Sequence, residues 1–202
     1  ARLCESLGLF SAERISRKRR SSDRKNLHMS IHHSPGFPTQ GTIPPTRLIA
    51  YSVALAALAV ALSPISIPVG IAKVSPTQHF INVVAGGLVG PWWGLAVALV
   101  TSLVRNAIGL GTPLAFPGSV FGVVLAGLAY RYTRNIYFTA LGEVIGTGLI
   151  GASAGALLVA PYLMGKDLAL SILILPFLLS SITGAVLGIA GLRVLRRLGY
   201  LR

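Results

Sequence analysis

From Leu48 to Leu192 the chain runs 145 residues with only seven formal charges: Lys73, Arg105, Arg131, Arg134, Glu143, Lys166 and Asp167. A soluble domain carries about 25% charged residues and cannot clothe its surface with so few. The bilayer is therefore the expected solvent. Lipid leaves backbone N–H and C=O groups nothing to bond with, so helices are the default element. The chain's formal charge of +13 would point to nucleic acid in a soluble protein. Here nine of the eighteen Lys/Arg precede Leu48 and most others fall at helix ends. That placement fits membrane orientation and argues against a nucleic-acid partner. Cys4 is the single cysteine, which excludes an internal disulfide, and no Cys/His cluster has zinc spacing.

Three segments differ in kind. Residues 1–45 hold the basic run Ser16 to Lys25 and then Pro35, Pro38, Pro44 and Pro45, with no apolar periodicity. They read as a disordered basic extension, and Met29 within it is a candidate start of translation. Residues 46–197 form the expected membrane domain, and residues 198–202 a short cytoplasmic tail.

Pro and Gly divide the apolar part into six segments: 46–62, 76–89, 92–108, 117–131, 135–164 and 168–195. With the N-terminus inside, alternation gives inner flanks Arg47, Arg131, Arg134, Arg193, Arg196, Arg197 and Arg202. The outer flanks keep Lys73, Arg105 and Lys166. This seven-to-three split obeys the positive-inside rule and puts both termini in the cytoplasm. The expectation is an all-α bundle of six transmembrane helices in the plasma membrane. Segment 76–89 spans only ~21 Å at ~1.5 Å per residue, short of ~30 Å of hydrocarbon, so it must begin inside a protected cavity. The preceding stretch from Pro64 to Lys73 is too apolar for an exposed loop and too rich in Pro for a helix. It reads as a lid over the outer mouth.

The polar residues of the apolar part gather near that mouth and around Glu143. Gln78, His79 and Asn82 share a broad helix face, while Arg105 and Asn106 close the third segment. The following turn, with Thr112, Phe116 and Ser119, returns on the same side. Lid, second segment and turn can thus converge on one solute. His79 is either a donor to that solute or an ordinary interfacial histidine, and Arg105 either faces the site or snorkels to the surface. Glu143 lies well inside its helix, where an acid costs roughly 2–3 kcal/mol, so something must pair with it. Thr147, at i+4, shares its face. Together they either touch solute or lock helix packing.

Small residues set the remaining surfaces. Ala50, Ala54, Ala57 and Ala61 form a smooth ridge on the first helix, for a partner subunit or for internal packing. The pairs Gly118/Gly122, Gly142/Gly146, Gly151/Gly155 and Gly184/Gly188 repeat the device. No phosphate loop, no H-E-x-x-H pair and no nucleophile beside a second membrane histidine occurs. An enzyme and a self-powered ATP pump are both disfavoured, and no catalytic residue, metal or cofactor is expected. No inverted repeat suggests a secondary transporter.

Taken in order, Ile67-Pro68-Val69-Gly70, Gln78-His79-x-x-Asn82, Gly90-Pro91-Trp92, Arg105-Asn106 leading to Gly111-Thr112, Ala115-Phe116-Pro117-Gly118-Ser119, Ala126-Gly127 and the run Gly142-Glu143-Val144-Ile145-Gly146-Thr147-Gly148 resemble the ThiW family. The resemblance covers nearly all of Leu48–Arg197 and none of the basic extension. It implies a six-helix substrate-binding S component of an energy-coupling factor (ECF) transporter for the thiazole precursor of thiamine, hydroxyethylthiazole. It further implies a transmembrane T component and two ATP-binding-cassette ATPases as partners, with the alanine ridge as the docking surface. For such a solute Gln78, His79, Asn82, Asn106 and Thr112 would supply donors and acceptors and Phe116 an aromatic wall. Arg105, Ser119, Glu143 and Thr147 complete the expected site. Trp92 and Trp93 are better placed as anchors at the inner interface. The alternatives are an S component for another vitamin and a membrane protein of structural or assembly role.

Overall fold

The computed structural model describes residues 44–69 and 72–201. The expected disordered extension, residues 1–45, lies outside the described residues except for Pro44 and Pro45. Residues from Ile43 onward form one compact unit. Its elements in order are α1 (Pro45–Ala61), a short hairpin of β1 (Ile67–Val69) and β2 (Ala72–Val74), α2 (Pro76–Leu88), α3 (Gly90–Ala107), α4 (Ala115–Thr133), α5 (Ile136–Met164) and α6 (Leu170–Arg197). The helices match the six expected segments to within two residues at every boundary. Helix α5 and helix α6 are long and apolar enough to cross a membrane.

Each boundary has a local cause. Gly90, at φ +85°, takes the left-handed turn that separates α2 from α3, and Pro91 then starts α3 where its missing N–H costs nothing. Arg134, at φ 54°, ends α4, and Asn135 caps α5 by accepting from the Tyr137 amide at 2.9 Å. The end of α6 turns back at Gly199, φ +79°, so that Leu201 packs in the core beside Tyr130 and Ile136. The last residues therefore fold onto the bundle, and the Tyr200 ring meets Tyr51 edge-on at 6.3 Å.

The stretch expected to act as a lid carries a short hairpin. Ile67 pairs with Val74 and Pro68 with Lys73 in an antiparallel hairpin, and the Lys73 ammonium donates to the Leu110 carbonyl in the α3–α4 turn at 3.1 Å. Pro68 tolerates a two-stranded sheet because every strand in it is an edge.

The shortest helix is the central one. Helix α2 touches all five others and is buried from Ile81 to Gly87. A helix too short for the hydrocarbon is sheltered on every side, as its length demanded. Backbones cross closely around it and beside it. An added methyl at Gly86 would stand 2.8 Å from the Gly127 amide, and one at Gly184 would stand 2.5 Å from the Pro76 carbonyl. Outward, mid-helix positions such as Val53, Leu103, Leu157, Leu175 and Val186 are exposed. An apolar exterior over a bundle with polar groups inside inverts the soluble pattern. The four ridge alanines, Ala50, Ala54, Ala57 and Ala61, are exposed as well, whereas Ser52, Leu55 and Ala59 form the buried face of α1.

Candidate functional site

Polar residues collect at the end of the bundle where the hairpin and the α3–α4 turn meet. Ser75 precedes α2, so its backbone amide is free to bond outside the helix, and the Ser180 hydroxyl on α6 accepts it at 2.8 Å. Three residues on, the Gln78 carbonyl oxygen accepts from Arg105 at 2.6 Å, and the Ser75 hydroxyl accepts from the other guanidinium arm at 3.0 Å. Arg105 is only 3% exposed. It turns inward and does not snorkel.

Next on α2, His79 Nδ1 lies 2.8 Å from Glu143 Oε1. The same oxygen accepts from the Asn82 amide at 3.0 Å and lies 3.0 Å from the Thr147 hydroxyl. That hydroxyl is also 2.9 Å from the Gly118 carbonyl, and its one proton serves a single acceptor at a time. Glu143 is fully buried and its Oε2 has no partner. Oε2 faces Gly122, where an added Cβ would stand 2.5 Å away and would also collide with Thr147. Glycine at 122 is thus required by the carboxylate. Because Glu143 Oε1 accepts, His79 Nδ1 is the donor of this contact, and Nε2 is left for a solute. Thr147 belongs to a π-helical stretch, Gly146–Gly151, whose wider turns are common at functional sites.

A cavity opens among these groups. It is lined by Lys73, Ser75, Gln78, His79, Arg105, Gly111, Thr112, Leu114, Ala115, Gly118, Ser119, Pro176, Phe177 and Ser180. Of the ten residues expected at the site, Gln78, His79, Arg105, Thr112 and Ser119 reach its wall. Asn82, Glu143 and Thr147 stand behind His79 and hold it. Asn106 is turned to structure: its amide donates to the carbonyls of Ser102 at 2.8 Å and Thr112 at 3.2 Å, closing the α3–α4 turn. Phe116 does not line the cavity, and Phe177 of α6 supplies the aromatic wall. Phe116 follows Ala115 at the start of α4, and the buried face of that turn is made by Pro117, Gly118 and Ser119. Lys73, Ser75, Ser180 and Phe177 were not anticipated. A Ser180-Ser181 pair inside a 28-residue apolar helix was the one available signal for α6. Trp92 and Trp93 sit exposed at the far end of α3 from Arg105. Among the described residues no three His, Cys, Asp or Glu side chains gather as a metal would need.

An apolar-surfaced helical bundle that keeps a polar cavity beside a hairpin fits a membrane transport protein. The comparison with known families is specific: the model of the thiamine-precursor transporter protein family (ThiW) matches residues 49–198, and the chain belongs to that family. No curated protein and no solved structure matches it.

Proposed function

We propose that this chain is the substrate-binding S component of an ECF-type importer, capturing a thiazole precursor of thiamine, of the hydroxyethylthiazole type, at the outer face. The observation that carries the reading is the cavity beside the hairpin, whose wall includes both the Phe177 ring and His79, itself held from behind by Glu143. Such a wall suits a small heteroaromatic ring: one face stacks, and its edge atoms meet a few fixed polar groups. In this reading all six helices span the plasma membrane with both termini cytoplasmic. The charge asymmetry of the flanks and the apolar exterior support it. The sequence has no phosphate loop, and in this reading the partners that the family resemblance implies, a T component and ATP-binding-cassette ATPases, supply the energy.

Calorimetric titration of detergent-purified full chain tests the reading. Binding of a thiazole precursor at micromolar concentration or tighter is expected. His79→Ala, which removes one solute hydrogen bond of about 1.4 kcal/mol, should weaken it about tenfold. Absence of binding to any thiazole, to the pyrimidine alcohol and to thiamine would leave a structural role.

The exposed alanine ridge supports docking to the T component, because small side chains let another helix approach closely. Ala54→Leu with Ala57→Leu should lower cellular uptake at least fivefold and leave the purified protein's affinity unchanged. Normal uptake by the double variant would move the docking surface off α1.

A further inference from the structure

Two buried donors of the cavity wall have no partner. Arg105 has two recorded bonds, both to neutral oxygens, and its Nε–H is buried without a partner. Gln78 has given its carbonyl to Arg105, which fixes the amide's orientation, and its Nε2 is likewise buried and unpartnered. Both side chains are 3% exposed and both line the cavity. Lys73 lines it too, with one carbonyl to satisfy three ammonium protons. It is pinned to the turn that Arg105 itself closes, since the Arg105 carbonyl accepts from Leu110 and Gly111 at 2.9 and 2.8 Å.

No protein charge answers these cations. Among the described residues the acids are Glu143 and Asp167. Glu143 Oε1 is taken up by His79 and Asn82, and Asp167 is exposed in the α5–α6 connection. A guanidinium buried against neutral dipoles alone is strongly unfavourable, so buried arginines are ordinarily paired. Here the missing partner has a place to sit.

We infer that the solute carries a negatively charged group, a carboxylate or a phosphate ester, received by Arg105, Lys73 and the Gln78 amide. This deepens the thiazole-binding reading and rests on it for the ring: the ring lies toward His79 and Phe177, the anion toward Arg105. An acceptor-only group satisfies the unpartnered donors of Arg105 and Gln78, and the planar fork of Arg suits either anion. A neutral alcohol leaves the charge unanswered.

The test compares three thiazoles sharing one ring: the hydroxyethyl alcohol, its phosphate monoester, and the corresponding acetic acid. Each is titrated into purified full chain at neutral pH and low salt, and inorganic phosphate and acetate are added as ring-free probes of thermal stability. One or both anionic thiazoles should bind at least tenfold tighter than the alcohol, and the tighter of the two identifies the group. Arg105→Gln should abolish that preference. Lys73→Gln, at an exposed position, should reduce it severalfold. Equal or tighter binding of the alcohol, or a preference that survives both substitutions, overturns the inference and leaves the thiazole reading standing. Failure of every thiazole, with phosphate or acetate still stabilising the parent but not Arg105→Gln, removes the ring and keeps the anion site. If no probe binds at all, both fall.

Discussion

Replacing Glu143 by Ala should abolish solute binding and destabilise the protein by about 1–3 kcal/mol for each buried donor left unsatisfied. One carboxylate oxygen organises three side chains from two helices: His79 and Asn82 on α2, and Thr147 on α5. Without it the Asn82 amide keeps only a long 3.4 Å contact to the Ser119 carbonyl, and His79 loses the acceptor that sets its tautomer. Glu143→Gln is milder, because its carbonyl can still accept from His79 and Asn82. Its amide would occupy the unpartnered Oε2 position against Gly122, with a cost of about 1–3 kcal/mol for an unsatisfied buried donor. Thermal unfolding in detergent, paired with calorimetric titration, measures both effects. Wild-type stability and affinity in Glu143→Ala would remove the carboxylate from the centre of the site.

The pairing of Glu143 with His79 was within reach of the sequence, although its partner was left open. Counted from the bundle end where α2 meets α3 and α4 meets α5, His79 lies nine residues above Leu88 and Glu143 seven above Ile136. At ~1.5 Å per residue these heights are ~14 and ~11 Å, nearly level. Grouping His79 with the residues near the outer mouth and treating Glu143 apart from them hid this, yet the shortness of α2 already required a start inside a protected cavity. The helices themselves were legible because Pro and Gly mark their ends and lipid imposes a uniform apolar composition between. That same uniformity conceals orientation. Phe177 and Phe116 look alike in sequence, and only the packing of α6 against α2 brings Phe177 to the cavity. Lys73 and Ser75 were passed over for a different reason. They come from the hairpin, whose pairing depends on a two-residue register and on a contact to Leu110 that no periodicity encodes.

The glycine pairs pose the same problem in sharper form, since Gly142-x-x-x-Gly146 and Gly151-x-x-x-Gly155 read identically along α5. In the structure Gly146 lies on the crossing with α4. A Cβ there would stand 2.5 Å from the Phe121 carbonyl and 2.8 Å from the Gly122 Cα. Neither is a side chain that can rotate away, so the helices must separate. Separation draws Gly118 from Thr147 and Gly122 from Glu143, loosening the network behind His79. Gly151 is equally tight, 2.7 Å from the Gly118 Cα, but Gly155 meets only the side chains of Leu114, Leu173 and Phe177 at 3.4 to 3.8 Å. Gly146→Ala should therefore cost about 3 kcal/mol, the upper range for overpacking, and weaken solute binding at least tenfold. Gly155→Ala should be neutral or stabilise by up to about 1 kcal/mol, since Ala is the better helix former and fills ordinary contact distance. Unfolding both variants in the same detergent decides the matter. If Gly146→Ala unfolds with the parent, or Gly155→Ala is the more damaged of the two, close approach of α4 and α5 is not what positions the carboxylate.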